Sequence, residues 1–210
     1  MQGDGTVLKR LEEFRVIDWF PAELSYEKIL ETLGCSVGTR IYNKVLALLP
    51  ELERGLQQTV VPQAWISFGR ERWYCLMTLG SAVESYLSLC VKKSLLQGIV
   101  ADSLAQELFF QIDGTMTEIL RRECHRRNTG IIRRLEAPCQ LPFEAQKEIL
   151  EHVERHISSG ITLSSSYVFE PPRTMGYILE TAPGQSCFHA AHSCSGCGKK
   201  DCQRKRIFKE

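Results

Sequence analysis

The sequence predicts an α+β protein in which helices pack against an antiparallel sheet. Three β-rich runs support this prediction, at residues 73–79, 131–135 and 175–179, because helical patterns and turn signals separate them. Two further segments, residues 37–56 and 101–122, repeat apolar residues every three or four positions, which is typical of long amphipathic helices. We expect the three runs to lie in one sheet.

The chain is predicted to divide near residue 60. Residues 1–20 show no clear period. They are followed by a short helix that ends near Leu33 and by the first amphipathic pattern. We therefore predict an N-terminal helical extension over residues 1–60. Residues 61–210 are predicted to form the α+β body, and its cysteine-rich tail covers residues 185–204.

The body begins with a strand-like run at residues 65–68, which a polar turn joins to residues 73–79. A helical pattern at residues 83–96 is interrupted by Gly98 and resumes at residue 101. The pair Asp113-Gly114 marks a position where another backbone is expected to come close.

The second half of the body continues with a strand and a loop up to Pro142, and a helix that opens at Phe143 and ends near Gly160. Residues 167–169 and 175–179 flank a Pro-Pro pair, and they are predicted to form a β-hairpin. This hairpin would lead directly into the cysteine-rich tail.

Composition excludes several classes of function. The chain is 43% hydrophobic and 24% charged, and its formal net charge of +1 gives no field that would gather nucleic acid or an anionic membrane. No run of about 18 apolar residues is present to span a bilayer, and the N-terminus lacks the pattern of a signal peptide. We expect a cytoplasmic protein that binds neither nucleic acid nor membrane.

The nine cysteines separate into scattered and clustered ones. Cys35, Cys75 and Cys90 lie in apolar patterns and are expected in the core. In a reducing compartment, a cluster indicates metal rather than disulfides. A zinc ion or an iron–sulfur cluster is predicted at four positions: Cys187, Cys194, Cys197 and Cys202. His192 could replace Cys187, and free thiols in a flexible tail remain the alternative.

Three segments, LPFEAQKEIL, SGITLSSSYVFEPPRTMGYI and CSGCGKKDC, follow one another in an order that resembles a known family. It is the activation domain of vitamin B12-dependent methionine synthase, in its small stand-alone bacterial versions. Upstream, YEKILETLGC resembles the opening helix of that family, so that the resemblance covers roughly residues 25–206. The resemblance implies a twisted antiparallel sheet with helices against it.

The resemblance also implies a function. The family binds S-adenosylmethionine, which remethylates an oxidised, inactive cobalamin carried by a corrinoid partner. This chain is therefore expected to be an accessory protein of corrinoid-dependent methyl transfer, whose partner is a corrinoid protein or a cobalamin-dependent methyltransferase. Whether it is itself a methyltransferase component stays open. The alternative is a zinc or iron–sulfur redox or assembly module without S-adenosylmethionine.

The ligand-binding residues follow from the family's Arg-x-x-Pro-Gly-Tyr motif. Arg133 stands at the position of the arginine, where it would hold the ligand carboxylate. Glu136-Ala137-Pro138 stand where Pro-Gly-Tyr is expected. S-adenosylmethionine is predicted to lie between residues 133–142 and 167–177, with five contacting residues: Arg133, Arg134, Glu136, Tyr167 and Tyr177. Either arginine could instead be structural.

Overall fold

A computed structural model describes residues 13–18 and 24–192. Its strands are β1 (Phe14–Ile17), β2 (Gln63–Phe68), β3 (Arg72–Thr78), β4 (Thr129–Glu136), β5 (Thr162–Leu163), β6 (Phe169–Glu170) and β7 (Thr174–Pro183). Its helices are α1 (Tyr26–Thr32), α2 (Arg40–Gln57), α3 (Ala82–Lys93), α4 (Leu95–Arg127) and α5 (Ala145–Glu154).

Five strands form one antiparallel sheet in the order β1-β2-β3-β7-β4. The three runs expected to share a sheet are its adjacent strands β3, β7 and β4, so the predicted α+β fold is confirmed. Strand β7 lies between the other two and pairs with both along most of its length. Strand β7 therefore pairs with two strands that are distant from it in sequence.

Helices α1 to α4 cover one face of the sheet, and α5 covers the other. The larger core lies on the α4 side and includes Trp73, Leu104 and Tyr177. A smaller core on the α5 side includes Trp65 and Ile149. Because α1 and α2 both contact α4, the predicted N-terminal helices pack onto the body. The division of the chain near residue 60 stays a prediction.

Both long helices predicted from periodicity are present. Helix α2 begins after Thr39, whose side chain accepts a hydrogen bond from the backbone N–H of Tyr42. Its buried residues are Val45, Leu49, Leu52 and Leu56, whereas Val37 and Ile41, which belong to the same apolar pattern, are exposed. Helix α4 has 33 residues and is longer than the predicted pattern, because it also includes residues 95–100 and 123–127.

The predicted interruption at Gly98 is wrong, because the chain breaks at Ser94 instead. Ser94 is extended, and its side chain caps α4 by accepting from the N–H of Gln97. Gly98 lies inside α4, where a Cβ atom would be 2.4 Å from Cγ2 of Val91. The glycine therefore permits close packing of α3 on α4 and does not end a helix.

The predicted β-hairpin is also wrong. Strand β6 pairs with β5 in a separate two-stranded sheet, whereas β7 pairs with β3 and β4. Tyr167 has a positive φ of 59° in the turn between β5 and β6, so it cannot continue the ladder. Residues 167–169 and 175–179 are thus close neighbours that belong to two different sheets.

Arg173 ties the turn before β7 to the helical layer. Its guanidinium forms ion pairs with Glu84 on α3 and with Asp102 on α4. The adjoining residue Thr174 donates a hydrogen bond to the hydroxyl of Thr78 at 2.9 Å. These contacts fix the position of the turn relative to both helices.

The end of α4 carries a second charged cluster. Glu123 is buried and accepts contacts from three arginines, namely Arg15 on β1, and Arg126 and Arg127 on its own helix. These arginines outweigh the effect of burial and lower the pKa of Glu123. The basic C-terminal end of α4 is therefore tied to the edge strand β1 of the sheet.

None of the helices within the described ranges combines the length and the apolar composition that a transmembrane span requires.

Candidate functional site

A cleft of about 150 Å³ opens at the end of the sheet where β4 leaves it and β7 enters it. Its walls come from the loop after β4, the start of α5, the β6 strand and the turn that leads into β7. The lining residues are Glu136, Ala137, Gln146, Val168, Phe169, Pro172, Thr174, Met175 and Gly176. The cleft thus lies between the two segments that the sequence predicts to hold a ligand, residues 133–142 and 167–177.

Glycine at position 176 is required at the floor of the cleft. A Cβ atom there would be 2.9 Å from two ring atoms of Phe169 and 3.1 Å from Cγ2 of Ile149. Strand β7 therefore passes directly beneath Phe169, which is 3% exposed. This close approach holds the two small strands against the main sheet beside the cleft.

Arg134 occupies the centre of a buried charged network behind the cleft. Its side chain is 3% exposed, and Nη1 donates to Asp113 Oδ1 and Oδ2 at 2.8 and 3.1 Å. The same nitrogen donates to the carbonyl of Ala190 at 3.1 Å, and Nε forms an ion pair with Glu136. The guanidinium also lies 3.7 Å from the ring centroid of Tyr177.

Glu136 connects this network to the cleft and to the C-terminal segment. Its carboxylate contacts Nδ1 of His192 at 2.8 and 3.1 Å and also forms the ion pair with Arg134. Burial would raise the pKa of Glu136, but the hydrogen bond from His192 and the charge of Arg134 outweigh it and lower the pKa. Glu136 is therefore an ionised acceptor at the cleft wall at neutral pH.

The other members of the network respond differently to burial. Burial raises the pKa of Asp113, and the neighbouring Arg134 only partly offsets that effect. Tyr177 is completely buried, and burial raises the pKa of its hydroxyl well above the ordinary value. The thiol of Cys75 beside it has its pKa raised to about 12 by burial. Neither Tyr177 nor Cys75 ionises near neutral pH.

The five residues predicted to contact a ligand occupy different environments. Glu136 lines the cleft, whereas Arg134 and Tyr177 lie behind it in the core. The side chain of Arg133 is 62% exposed and pairs with Glu180, with Nε 2.6 Å from Oε2. Tyr167 lies in the turn next to the cleft residue Val168. The structure brings Arg134, Glu136 and Tyr177 together, while Arg133 points to the opposite face of β4.

Of the four predicted metal ligands, only Cys187 falls within the described residues, and Cys194, Cys197 and Cys202 lie outside them. The carbonyl of Cys187 accepts from the N–H of Ile131 at 2.8 Å, so its backbone is held beside β4. No group of three or more potential metal ligands occurs in the described ranges. The four-cysteine site stays a prediction.

The expected core positions of the scattered cysteines are largely as predicted. Cys75 and Cys90 are buried in the larger core. Cys35 is half-buried and packs against that core. These three thiols therefore contribute to packing.

Comparison with known proteins identifies a similar fold. No protein-family model and no curated protein matches the sequence. Among solved structures, the crystal structure of the MetH reactivation domain bound to AdoHcy matches with a TM-score of 0.56 at 12% identity. The match covers 89% of this chain and 83% of that one. The likeness shows a shared fold.

Three residues of the site have roles that sequence reasoning did not find. The pair Asp113-Gly114 was expected to admit a backbone, but no described atom lies within 4 Å of a Cβ atom placed on Gly114. The important member is Asp113, an acidic residue between the buried positions Ile112 and Met116 of α4. A carboxylate on an apolar helix face is a signal for a buried partner.

The sequence suggested His192 as a substitute zinc ligand or as a polar surface residue, and in the structure its Nδ1 contacts Glu136. Gln146 was not singled out, although it interrupts the apolar positions at the start of α5 and is 9% exposed. Sequence alone does not show that Gln146 lines the cleft or that His192 contacts Glu136.

Proposed function

We propose that this chain binds an S-adenosyl nucleoside in the cleft beside Glu136 and serves as an accessory protein of corrinoid-dependent methyl transfer. One observation carries the proposal. A cleft lies between the loop after β4 and the turn before β7, in a fold shared with a reactivation domain bound to AdoHcy. Those are the two segments from which the sequence predicts ligand contacts.

The charge of the site supports a cationic ligand. Glu136, which contacts the guanidinium of Arg134 and the imidazole of His192, places a negatively charged carboxylate at the cleft wall. The lowered pKa of Glu136 maintains this charge at neutral pH. A sulfonium such as that of S-adenosylmethionine is attracted by a carboxylate at this depth, because the low dielectric strengthens the interaction.

The dimensions of the cleft limit how much of the ligand it encloses. Its volume of about 150 Å³ is below the roughly 300–1,000 Å³ of pockets that enclose a drug-sized molecule. Part of an S-adenosyl nucleoside would therefore lie in the cleft and the rest over the neighbouring surface. Exposure of the sulfonium end would suit methyl transfer to a cofactor held by another protein.

The chemistry required of this chain is binding and orientation. Methyl transfer from a sulfonium to cobalt needs no acid or base from the protein, so the contribution of the site would be to position the reacting methyl group. Arg134 fits this role, because it lies over the ring of the neutral, buried Tyr177 and holds Glu136 through an ion pair without offering a nucleophile.

Calorimetric titration with S-adenosylmethionine and S-adenosylhomocysteine tests the ligand. Val168 is 48% exposed at the cleft, so Val168→Trp should fill the cleft without disturbing the core and weaken binding at least tenfold. Val37, which is 81% exposed before α2, supplies the control Val37→Trp, and this variant should bind like the wild type. No heat from wild-type protein at millimolar ligand would contradict the proposal.

The same titration measures the role predicted for Arg133. The sequence-based expectation is that Arg133→Ala leaves the ligand carboxylate unpaired and weakens binding on the order of 30- to 150-fold. In the structure Arg133 would first have to leave Glu180. Unchanged affinity of Arg133→Ala would assign this arginine to the surface ion pair alone.

The proposed partner is a corrinoid protein. Mixing the chain with a cobalamin-loaded corrinoid protein, S-adenosylmethionine and a chemical reductant should produce the visible spectrum of methylcobalamin. Val168→Trp should slow that change, whereas Val37→Trp should not. A spectrum that develops equally with and without this chain would contradict the partner assignment but leave the ligand result standing.

A further inference from the structure

Gln146 is a largely buried polar residue whose side chain has no hydrogen-bond partner among the residues that the structure describes. It occupies the second position of α5, is 9% exposed, and lines the cleft. Within the described residues its side-chain amide makes no hydrogen bond, although its backbone N–H donates to Phe143. Because Gln146 lines the cleft, its amide donors and acceptors are available to a polar group that enters the cleft.

The partner is not an anion. The first backbone N–H groups of α5, those of residues 145–147, already donate to the carbonyls of Pro142, Phe143 and Glu144 at 3.0–3.1 Å. These are the donors that a phosphate at a helix N-terminus would need. The carboxylate of Glu136 on the facing wall adds repulsion. The cleft therefore selects a neutral or cationic group.

The remaining walls favour a flat ring. Val168, Phe169, Pro172 and Met175 line the space with apolar surface. The volume of this space is about 150 Å³. One planar heterocycle fits such a space, whereas a whole nucleoside does not.

We infer that Gln146 determines specificity for adenine by hydrogen-bonding the amino edge of the base in this cleft. Its Oε1 accepts from the exocyclic amino group, and Nε2 donates to a neighbouring ring nitrogen, which is the paired geometry that glutamine uses with adenine. The inference rests on the proposed function and assigns the base half of the ligand to Gln146. The sulfonium half then lies toward Glu136 and the opening.

A comparison of two nucleosides tests the inference. Adenosine and purine riboside differ only in the exocyclic amino group, so wild-type protein should bind adenosine roughly tenfold more tightly. Gln146→Leu, which keeps the size of the side chain but removes both hydrogen-bonding groups, should bind the two nucleosides equally. Gln58→Leu, at the exposed C-terminal end of α2, is the control and should keep the wild-type ratio.

The outcomes separate the two proposals. Suppose that the wild type binds S-adenosylmethionine tightly, but Gln146→Leu keeps the wild-type preference for adenosine over purine riboside. That result would overturn the inference and leave the proposed function intact. No binding of any S-adenosyl or adenine compound to wild-type protein would overturn both. If circular dichroism shows that Gln146→Leu does not fold, the test is the relative affinity of wild-type protein for adenosine and purine riboside. Equal affinity for the two nucleosides overturns the inference. Tighter binding of adenosine 5′-monophosphate than of adenosine would also overturn it.

Discussion

Arg134 on β4 donates from Nη1 to both carboxylate oxygens of Asp113 on α4, and both side chains are almost completely buried. This pair connects the sheet to the longest helix directly behind the cleft. The adjacent residue, Arg133, makes a pair of similar length with Glu180 at the surface. The chain therefore offers a buried and an exposed ion pair on neighbouring residues of one strand.

Asp113→Ala should lower the free energy of unfolding by about 3–5 kcal/mol, because it leaves the guanidinium of Arg134 buried with one carboxylate fewer. The matched change at the surface, Glu180→Ala, should cost less than about 1 kcal/mol, because water and salt screen that pair. Urea denaturation of the two variants measures the difference. Equal losses would mean that burial does not distinguish the two pairs.

Two glycines of α4 should respond in opposite directions to alanine. Gly114→Ala should raise the free energy of unfolding by about 0.8–1 kcal/mol, since its added Cβ meets no described atom within 4 Å and alanine is the better helix former. Gly98→Ala should lower it, because the new Cβ would lie 2.4 Å from Cγ2 and 3.0 Å from Cα of Val91. Thermal denaturation distinguishes them, and stabilisation by Gly98→Ala would refute the close packing of α3 on α4.

Glu123 should contribute to stability in a pH-dependent way. Its pKa is lowered in the folded state, so its contribution is present above the unfolded value of about 4.3 and is lost as the pH falls through the folded pKa. Glu123→Gln should cost about 1–3 kcal/mol at pH 7, and the cost should shrink below about pH 4. Urea denaturation at pH 7 and pH 3 checks this, and a cost independent of pH would rule out the ionised carboxylate as the cause.

The predicted cysteine site is tested by elemental analysis of protein purified without oxygen or chelator. Wild-type protein should carry zinc or iron, and Cys197→Ser should lose most of it, because three thiolates hold a metal less well than four. Cys139→Ser changes an exposed cysteine outside the cluster and should retain the metal. Less than about a tenth of an equivalent of metal in the wild type would contradict the site.

Much of the fold could be predicted because it depends on local patterns. The strands at residues 73–79, 131–135 and 175–179 are rich in β-branched or aromatic residues, and the two long helices repeat their apolar residues regularly. Pairing of strands is not local, so the assignment of β6 to β5 rather than to β7 was missed. Two short runs joined by a turn look the same in the sequence whether or not they pair.

The sequence singled out two segments that border the cleft, but it did not predict the contacts of their side chains. The strand alternation that would decide whether Arg133 or Arg134 faces the core is broken by a register shift between Ile131 and Arg133. The bulge turns the side chain of Arg134 toward α4, and no residue pattern near it predicts this orientation. Asp113, its partner, lies 21 positions away on α4, where only the fold brings the two together.

The ion pairs of Arg173 couple entry into the cleft to the helical layer. Pro172 and Thr174, on either side of Arg173, line the cleft, so a ligand that widens this opening must displace a turn that Glu84 and Asp102 hold from α3 and α4. Both carboxylates are partly exposed, and salt screens such pairs. Ionic strength should therefore act on the rate at which a ligand enters, while the affinity is determined by contacts made deeper in the cleft.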